Sequence, residues 1–335
     1  MAFKVVLTTN RVNSPYEEEV IKNIGGDLVR TNCPTEDEVI AACHDADAAV
    51  GMFEPFSRRV VEKLERCRII ASIGIAYDKI DVVAATEHGI IVTNVPDYCL
   101  EELSDHTMAL LLALNRKLIR VDRKAKEGKW GLEARQVLPP MHPLRGRTLG
   151  LVGFGRVPRT IVRKAQAFGL RVIAYDPYVT KASVEGHYVE LVNFDRLLAE
   201  SDFVSCHAAV TPDNYHMFGL EQFKKMKPTA YFINTARGAL VDEAALYTAL
   251  TQGHIQGAAL DVMEQEPPRA DHPLLSLDNV IITCHTGQYS DTAIIALRQQ
   301  PFDEVARVLR GEWPVGWLNP QVKDRYLERW GRNQE

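Results

Sequence analysis

The chain has 335 residues, more than one ordinary hydrophobic core accommodates, so its length predicts two domains. Apolar residues make up 46% and charged residues 25%, as in water-soluble globular proteins, and the formal net charge is -5. Such mild acidity argues against a nucleic acid or an anionic membrane as the main partner.

Membrane segments, leader segments and cysteine pairs bear on the compartment and the metal content of the protein. No apolar run approaches membrane-spanning length, and the chain opens on a strand-like segment rather than a charged and apolar leader. The six cysteines are scattered, with neither a C-x-x-C pair nor metal-ligand spacing. We therefore expect a cytoplasmic protein with reduced thiols and no metal site.

Short β-branched segments alternate with helical patterns along the whole chain. In the first third, strands are predicted over 4–7, 48–51, 69–72 and 90–93, and helices over 16–24, 36–43 and 58–67. Further strands are predicted over 149–152, 171–175, 203–206, 231–234, 258–261 and 281–283, and long helices over 101–126 and 291–309. The alternation predicts an α/β fold with two doubly wound parallel sheets.

A glycine-rich turn follows the predicted strand 149–152. Gly153 permits the tight turn, and Gly155 lets the backbone approach a pyrophosphate, whose charge lies at the N–H groups of the next helix, at Arg156 and Val157. A predicted helix over 159–168 and a strand ending at Asp176 complete the layout of a dinucleotide-binding βαβ unit. The alternative is a glycine turn in another kind of α/β protein.

Two side chains refine this interpretation. Asp176 is placed to accept hydrogen bonds from both ribose hydroxyls and repels a 2′-phosphate, which favours NAD over NADP. Pro158 stands where the pattern has its third glycine, and proline is tolerated in the first turn of a helix.

Three chemically useful side chains follow successive predicted strands: Arg237, Glu266 and His285. Hydride transfer to a 2-keto acid needs a cation for the carboxylate and carbonyl, a proton donor, and a group that tunes the donor. The guanidinium suits the first task, the imidazole the second, and a neighbouring carboxylate would favour the imidazolium. Taken one at a time, an arginine after a strand is typical of a surface ion pair, a Glu-Pro step is typical of a loop, and a histidine among apolar residues is typical of a core. The placement of all three after successive strands favours catalysis.

The domain order follows from the two long helices, which are expected to leave the first sheet and return to it. The predicted domains are a flavodoxin-like substrate domain of residues 1–101 and 293–335, and a Rossmann-type NAD-binding domain of residues 102–292 inserted in it. The tail from Gly311 is expected to pack back on the first domain.

The segments 153–156, 234–238, 261–267 and 283–285 resemble the D-isomer-specific 2-hydroxyacid dehydrogenase family, which includes phosphoglycerate, glyoxylate and D-lactate dehydrogenases and the C-terminal-binding-protein corepressors. The resemblance covers nearly the whole chain. It implies two Rossmann-like domains with the active site in their cleft, usually in a homodimer. It also implies NAD-dependent interconversion of a small 2-keto acid and a D-2-hydroxy acid.

The resemblance further implies residue roles. Arg237 would bind substrate, Glu266 and His285 would form a relay, and Asp261 would contact the nicotinamide amide. The backbone of a first-domain turn would bind the substrate carboxylate through Ile73, Gly74 and Ile75. The expected cofactor contacts are Gly153, Gly155, Arg156, Val157, Asp176, His207, Ala208, Thr235, Ala236, Arg237, Asp261, His285 and Gly287.

Other positions have smaller expected roles. Ala76 and Cys284 depart from the family pattern in the carboxylate turn and before the histidine, as does Gln288 after it, which leaves the choice of substrate open. Glu54 is expected to be a solvated loop acid, and His106 to satisfy a local partner.

Two alternatives remain at this point. Formate and phosphite dehydrogenases are similar in fold, but formate enzymes pair the histidine with glutamine, so Glu266 leaves only the phosphite type open. An NAD-sensing binding protein like the corepressors is the other alternative, and the chain shows neither a basic patch nor a long disordered flank that would favour it.

Overall fold

The computed structural model describes residues 2–11 and 13–331, which form an α/β fold with two parallel sheets. In chain order the strands are β1 Phe3–Leu7, β2 Gly26–Arg30, β3 Ala48–Gly51, β4 Ile69–Ser72, β5 Ile91–Thr93, β6 Thr148–Val152, β7 Arg171–Tyr175, β8 Glu190–Leu191, β9 Phe203–Cys206, β10 Tyr231–Asn234, β11 Gly257–Leu260 and β12 Val280–Ile282. The helices are α1 Pro15–Asn23, α2 Glu36–Cys43, α3 Arg58–Val61, α4 Val82–Glu87, α5 Leu100–Arg116, α6 Leu118–Lys126, α7 Leu132–Arg135, α8 Arg156–Ala167, α9 Phe194–Glu200, α10 Leu220–Lys225, α11 Glu243–Thr251, α12 Asp291–Leu309 and α13 Lys323–Trp330. The predicted fold class is confirmed.

Two compact units make up the chain. The described residues up to Tyr98 and from Ser290 onward form the first unit, and Cys99–Tyr289 form the second. The first contains a five-stranded sheet in the order β2-β1-β3-β4-β5. The second contains a seven-stranded sheet in the order β12-β11-β10-β9-β6-β7-β8.

The first unit is built around the fully buried strands β3, β4 and β5. Its chain tail adds to this core, since the buried Asn319 accepts a hydrogen bond from Val92 N–H at 2.9 Å and Leu318 N–H donates to the Val92 carbonyl at 2.8 Å. The expected return of the tail to this unit is confirmed.

In the second unit all strand pairs are parallel, so the loops after β6, β9, β10, β11 and β12 emerge at one edge of the sheet. The apolar faces of β6, β9, β10 and β11 are buried by the surrounding helices. This edge carries the glycine turn, Arg237, Glu266 and His285.

Two predicted helices are wrong in length. The helix expected over 58–67 ends at Val61: the N–H of Leu64 donates to a carbonyl only three residues back, and the N–H of Glu65 donates to the His44 carbonyl at 2.9 Å instead of to Val61. The helix expected over 101–126 is broken at Lys117, whose φ of 52° is left-handed. The buried Lys117 ammonium donates to the Pro139 carbonyl at 3.2 Å, which holds the break.

Two strands are absent from the prediction. β2 and β8 lie at the edges of their sheets and pair on one side only. β2 alternates half-buried and exposed residues and β8 has two residues, so neither shows the continuous apolar run of a central parallel strand.

Candidate active site

His285 and Glu266 form a close pair at the carboxyl edge of the second unit's sheet. His285 Nδ1 lies 2.7 Å from Glu266 Oε2, and Glu266 Oε1 accepts a hydrogen bond from Met263 N–H at 3.0 Å. Burial raises the pKa of the Glu266 carboxyl, but the bonds from His285 and Met263 and the nearby charge of Arg237 outweigh burial and hold it below its usual range. An ionised carboxylate at Nδ1 leaves Nε2 of the ring as the atom that exchanges a proton.

The loop that carries His285 has an unusual backbone. Cys284 and His285 have φ values of 53° and 56°, so two consecutive non-glycine residues lie in the left-handed region. The buried Asp261 holds them there: its backbone carbonyl accepts from His285 N–H at 2.6 Å, and its carboxylate accepts from Thr286 N–H and Gly287 N–H, each at 2.9 Å. Asp261 thus fixes the direction of the His285 side chain.

Asp261 is itself supported from two sides. Thr283 Oγ1 donates to its carboxylate at 2.7 Å, and His106 Nε2 lies 2.9 Å from Thr283 Oγ1 and 3.4 Å from the carboxylate. Burial raises the pKa of the Asp261 carboxyl, yet the hydrogen bonds from His106, Thr283, Gly287 and Thr286 lower it further, so the group is ionised. His106 satisfies a side-chain partner, as expected, and that partner belongs to the site.

Arg237 lies on the loop after β10, which is shaped by the buried Asn234. Asn234 accepts from Ala236 N–H at 3.0 Å and donates to the Arg237 carbonyl at 2.8 Å, closing a compact turn. Arg237 Nη1 donates to the Ala236 carbonyl at 2.6 Å. The turn therefore presents the guanidinium within electrostatic reach of Glu266.

Gly238 brings this loop against the loop of Glu266. A Cβ at Gly238 would lie 2.0 Å from the Met263 carbonyl carbon and 2.3 Å from Glu264 N, distances that no side chain tolerates. Glycine is required here because the two backbones touch.

The glycine turn has the geometry that a dinucleotide needs. Gly153 has a φ of 89°, and a Cβ there would meet the His207 carbonyl carbon and Ala208 N at 2.8 Å. Gly155 begins α8 without a side-chain cap, and no heavy atom lies within 4 Å of the position its Cβ would occupy. This open space at the N-terminus of α8, beside the N–H groups of Arg156 and Val157, fits a pyrophosphate.

Asp176 lies at the end of β7, beside the glycine turn. One carboxylate oxygen accepts from Phe154 N–H and the other from Tyr178 N–H, both at 2.9 Å, and each keeps a lone pair for a ribose hydroxyl. Pro158 is buried in the first turn of α8, where its missing N–H has no intrahelical partner to lose. The residues at this edge therefore fit NAD.

Three other predicted cofactor contacts lie on the same edge. His207 Nε2 lies 2.8 Å from Ser205 Oγ, and burial lowers the pKa of His207 to about 3, so the ring is neutral. Ala208 follows it against Gly153. Thr235 is buried, with Oγ1 3.2 Å from Thr107 Oγ1, so its side chain anchors the Arg237 loop to α5.

The carboxylate turn belongs to the first unit. Ile73 N–H donates to the Gly51 carbonyl at 2.7 Å, while the carbonyls of Gly74 and Ile75 accept from Val95 N–H and Asn94 Nδ2 at 2.9 and 2.7 Å. Within the described residues, no hydrogen bond to the N–H groups of Gly74 and Ile75 is found. Those two donors are the ones that can receive a carboxylate.

The expectation for Glu54 is wrong. Its side chain is 9% exposed, and Oε2 accepts hydrogen bonds from Met52 N–H at 2.7 Å and Phe53 N–H at 3.1 Å. The carboxylate folds back on the two residues that precede it, so it is a buried brace of this loop instead of a solvated acid.

Comparisons with known proteins agree with these features. Residues 108–287 match the sequence model of the D-isomer specific 2-hydroxyacid dehydrogenase, NAD binding domain. The chain is 39% identical to a glyoxylate reductase of Korarchaeum cryptofilum over 290 residues, 86% of this chain and 87% of that protein. It is 40% identical to a D-3-phosphoglycerate dehydrogenase of Methanocaldococcus jannaschii over 93% of this chain, but spans only 60% of that longer protein.

A solved structure is similar over nearly the full length. The D-lactate dehydrogenase of Aquifex aeolicus complexed with NAD and lactic acid has a TM-score of 0.78 at 26% identity, covering 98% of this chain and 97% of that one. In the part of the chain that the structure describes, no helix is long and apolar enough to cross a membrane. The chain belongs to the D-isomer-specific 2-hydroxyacid dehydrogenase family, the NAD-dependent oxidoreductases that interconvert 2-keto acids and D-2-hydroxy acids.

Proposed function

We propose that this protein reduces a small 2-keto acid with Arg237, Glu266 and His285 as its catalytic residues. The observation that carries the proposal is the 2.7 Å contact between His285 Nδ1 and the ionised Glu266 carboxylate, with Arg237 nearby. Bound NADH supplies the hydride for the carbonyl carbon, and NAD accepts it in the reverse direction.

The chain's own groups perform the proton transfer and the positioning. Arg237 binds the substrate carboxylate and polarises the carbonyl through its planar fork of donors. His285 donates a proton from Nε2 to the carbonyl oxygen, while Glu266 at Nδ1 stabilises the imidazolium. In the oxidation direction neutral His285 takes the hydroxyl proton, so oxidation gains as pH rises.

We assign the two domains as the sequence suggests. Residues 102–292 would bind NAD, and residues 1–101 with 293–335 would bind the substrate carboxylate through Gly74 and Ile75, with Ile73 fixing the turn. The glyoxylate reductases among the relatives favour a substrate with a short side chain.

The test is a spectrophotometric screen of NADH oxidation against a dozen 2-keto acids from glyoxylate to bulky aromatic ones. His285→Ala should lower kcat about a hundredfold or more on the best substrate, since general acids contribute about that much, with NADH binding kept. His254→Ala is the control, because that half-buried histidine precedes β11, at the other end of the strand from Glu266, and its ring lies 3.2 Å from Gln252 Oε1. Wild-type reduction rates in His285→Ala would contradict the proposal.

We also propose a cytoplasmic homodimer. Segment 118–132 of the second unit exposes several large apolar side chains: Leu118 (53%), Ile119 (49%), Trp130 (81%) and Leu132 (81%). A second copy of the chain would cover them, as apolar patches of this kind are typical of homodimer interfaces. Light scattering should show a dimer for the wild type and a monomer for the Trp130→Ser/Leu132→Ser variant.

All six cysteines are free and five of them are buried, and the cytoplasm would keep such thiols reduced. Cell fractionation would test the cytoplasmic location.

A further inference from the structure

Glu264, two residues before the relay carboxylate, is held by a group of side chains outside the catalytic set. Its Oε1 accepts from Tyr215 Oη at 2.5 Å and lies 2.8 Å from His216 Nε2. Its backbone N–H donates to Glu243 Oε1 at 2.8 Å. We call Tyr215, His216, Glu243 and Glu264 the Glu264 clamp.

The clamp joins the two loops that carry Arg237 and Glu266. His216 N–H donates to the Ala239 carbonyl at 2.9 Å, on the turn directly after Arg237, while its ring reaches Glu264 on the other loop. At the same place Gly238 lies against the backbone of Met263 and Glu264. Movement of Glu264 would therefore separate these loops.

The Glu264 clamp lies directly beside the residues that hold the Glu266–His285 pair. Met263 N–H, adjacent to Glu264, is the backbone donor to Glu266 Oε1 at 3.0 Å, and Glu266 Oε2 meets His285 Nδ1 at 2.7 Å. On the other side, Glu243 Oε2 lies 3.0 Å from His272 Nε2, which anchors the clamp to the residues after Pro267. The carboxylate of Glu266 is thus placed by a turn that is braced at both ends.

The backbone and ring positions of Tyr215 and His216 are unfavourable unless other contacts stabilise them. His216 has a left-handed φ of 52°, and its ring stacks on Tyr215 at 3.9 Å although the Tyr215 side chain is more than half exposed. The hydrogen bond to Glu264 raises the pKa of Tyr215, so the hydroxyl stays a donor throughout the working pH range. Both rings are turned toward a single carboxylate oxygen.

We propose that Glu264, gripped by Tyr215 and His216, is a positioning residue that fixes the Glu266 carboxylate against His285. This inference rests on the proposed roles of Glu266 and His285. Glu264 touches neither substrate nor NAD in this account; it acts through the turn 263–266.

The test is Glu264→Ala in the full-length enzyme. Loosening the Glu266 carboxylate should lower kcat for keto-acid reduction about tenfold, since small misplacements of catalytic groups cost at least that much. The KM for NADH should stay within about twofold. The alkaline limb of the reduction profile should move to lower pH, because the imidazolium loses a fixed partner; a purely structural residue would not shift it.

Glu264→Gln distinguishes the effect of the hydrogen bonds in the clamp from the effect of the negative charge of Glu264. Glutamine keeps an acceptor oxygen for Tyr215 and His216, so it should recover most of the lost kcat and the wild-type pH profile. Glu221→Ala is the matched control: it removes another exposed glutamate of the same unit, whose carboxylate accepts from Lys224 Nζ at 2.8 Å, and it should change nothing. If Glu264→Gln behaves like Glu264→Ala, charge and not positioning is responsible, and the inference is overturned.

Tyr215→Phe removes one exposed hydroxyl and keeps the test decisive if Glu264→Ala does not fold. It should lower kcat two- to threefold with the same direction of pH shift, and unchanged kinetics in it would overturn the inference. The proposed function fails by a different result, wild-type turnover in His285→Ala, so the two failures are distinguishable.

Discussion

At the scale of single residues, Gly238 carries the tightest constraint in the site. In Gly238→Ala the new methyl would meet the Met263 and Glu264 backbone at 2.0 to 2.3 Å, so the Arg237 and Glu266 loops must part. We expect a loss of about 1 to 3 kcal/mol in the free energy of unfolding, the usual cost of overpacking, and at least a tenfold loss of kcat. Thermal melting and steady-state kinetics measure both.

Gly316→Ala is the control for that change. No heavy atom lies within 4 Å of its would-be Cβ, so stability and turnover should match the wild type. A Gly238→Ala protein as stable and active as Gly316→Ala would show that the two loops have room to separate.

Glu266→Gln tests the electrostatic half of the relay. The Glu266 pKa is below its usual range, so the carboxylate is charged over the whole neutral region and stabilises the imidazolium there. A neutral amide removes that support, and the alkaline limb of the reduction profile should shift to lower pH, with kcat at pH 7 falling about tenfold or more. An unshifted profile would mean that Glu266 orients the ring without tuning its charge.

At the scale of elements, the prediction succeeded where burial dictates sequence. The strand bounds 48–51, 69–72, 171–175, 203–206 and 231–234 match the structure, because central parallel strands are apolar on both faces. The edge strands β2 and β8 lack that pattern and escaped notice. At the early end of α3, Glu65 N–H donates to the carbonyl of His44 on another segment, a contact that the local sequence pattern does not indicate.

The candidate site also contains residues that the sequence pattern indicates and residues that it does not. The proposed catalytic residues Arg237, Glu266 and His285 could be selected from the sequence because each follows a strand, and parallel strands bring their carboxyl ends together. The support of Glu266 by Glu264, of His285 by Asp261 through three backbone contacts, and of the loops by Gly238 depends on contacts between loops. The sequences of these loops do not indicate which residues they contact.

Helix α8 offers a prediction at this scale. Pro158 is the third residue of the helix and is buried, so its ring packs inward and does not cover Gly155. Pro158→Gly should lower the free energy of unfolding by about 1 kcal/mol, because glycine gains freedom in the unfolded chain, while NADH affinity stays within twofold. Fluorescence titration with NADH and thermal melting measure the two quantities. A large change in affinity with unchanged stability would place Pro158 at the pyrophosphate instead.

At the scale of the whole molecule, the two units differ in their fully or partly buried titratable groups. In the second, burial lowers the pKa of His207 to about 3, and Asp261 and Glu266 have pKa values below their usual range. In the first, burial raises the pKa of Glu304 against the hydrogen bonds from Val315 and Gly316. The two sets respond to acid in opposite directions.

The second unit should therefore be the acid-sensitive one. Because His207 titrates near 6.5 in the unfolded chain and about 3 in the folded unit, the unfolded state binds the extra proton, and stability falls as pH drops below about 6.5. Asp261 and Glu266 have the same sign: their contribution is present above their unfolded pKa values and disappears as pH falls through the folded ones. Glu304, with a raised folded pKa, adds stability to the first unit as its carboxyl becomes protonated.

Differential scanning calorimetry between pH 7 and pH 5 measures this difference. The transition of the second unit should move to lower temperature with acid more than that of the first. In a Trp130→Phe background the first unit is followed separately by fluorescence, because the three remaining tryptophans, Trp313, Trp317 and Trp330, all lie in it. In His207→Gln the amide nitrogen can keep the bond to Ser205 without titrating, so the acid shift between pH 6.5 and 5 should flatten. If the variant keeps the full wild-type slope, His207 is protonated in the folded unit and the acid sensitivity has another source.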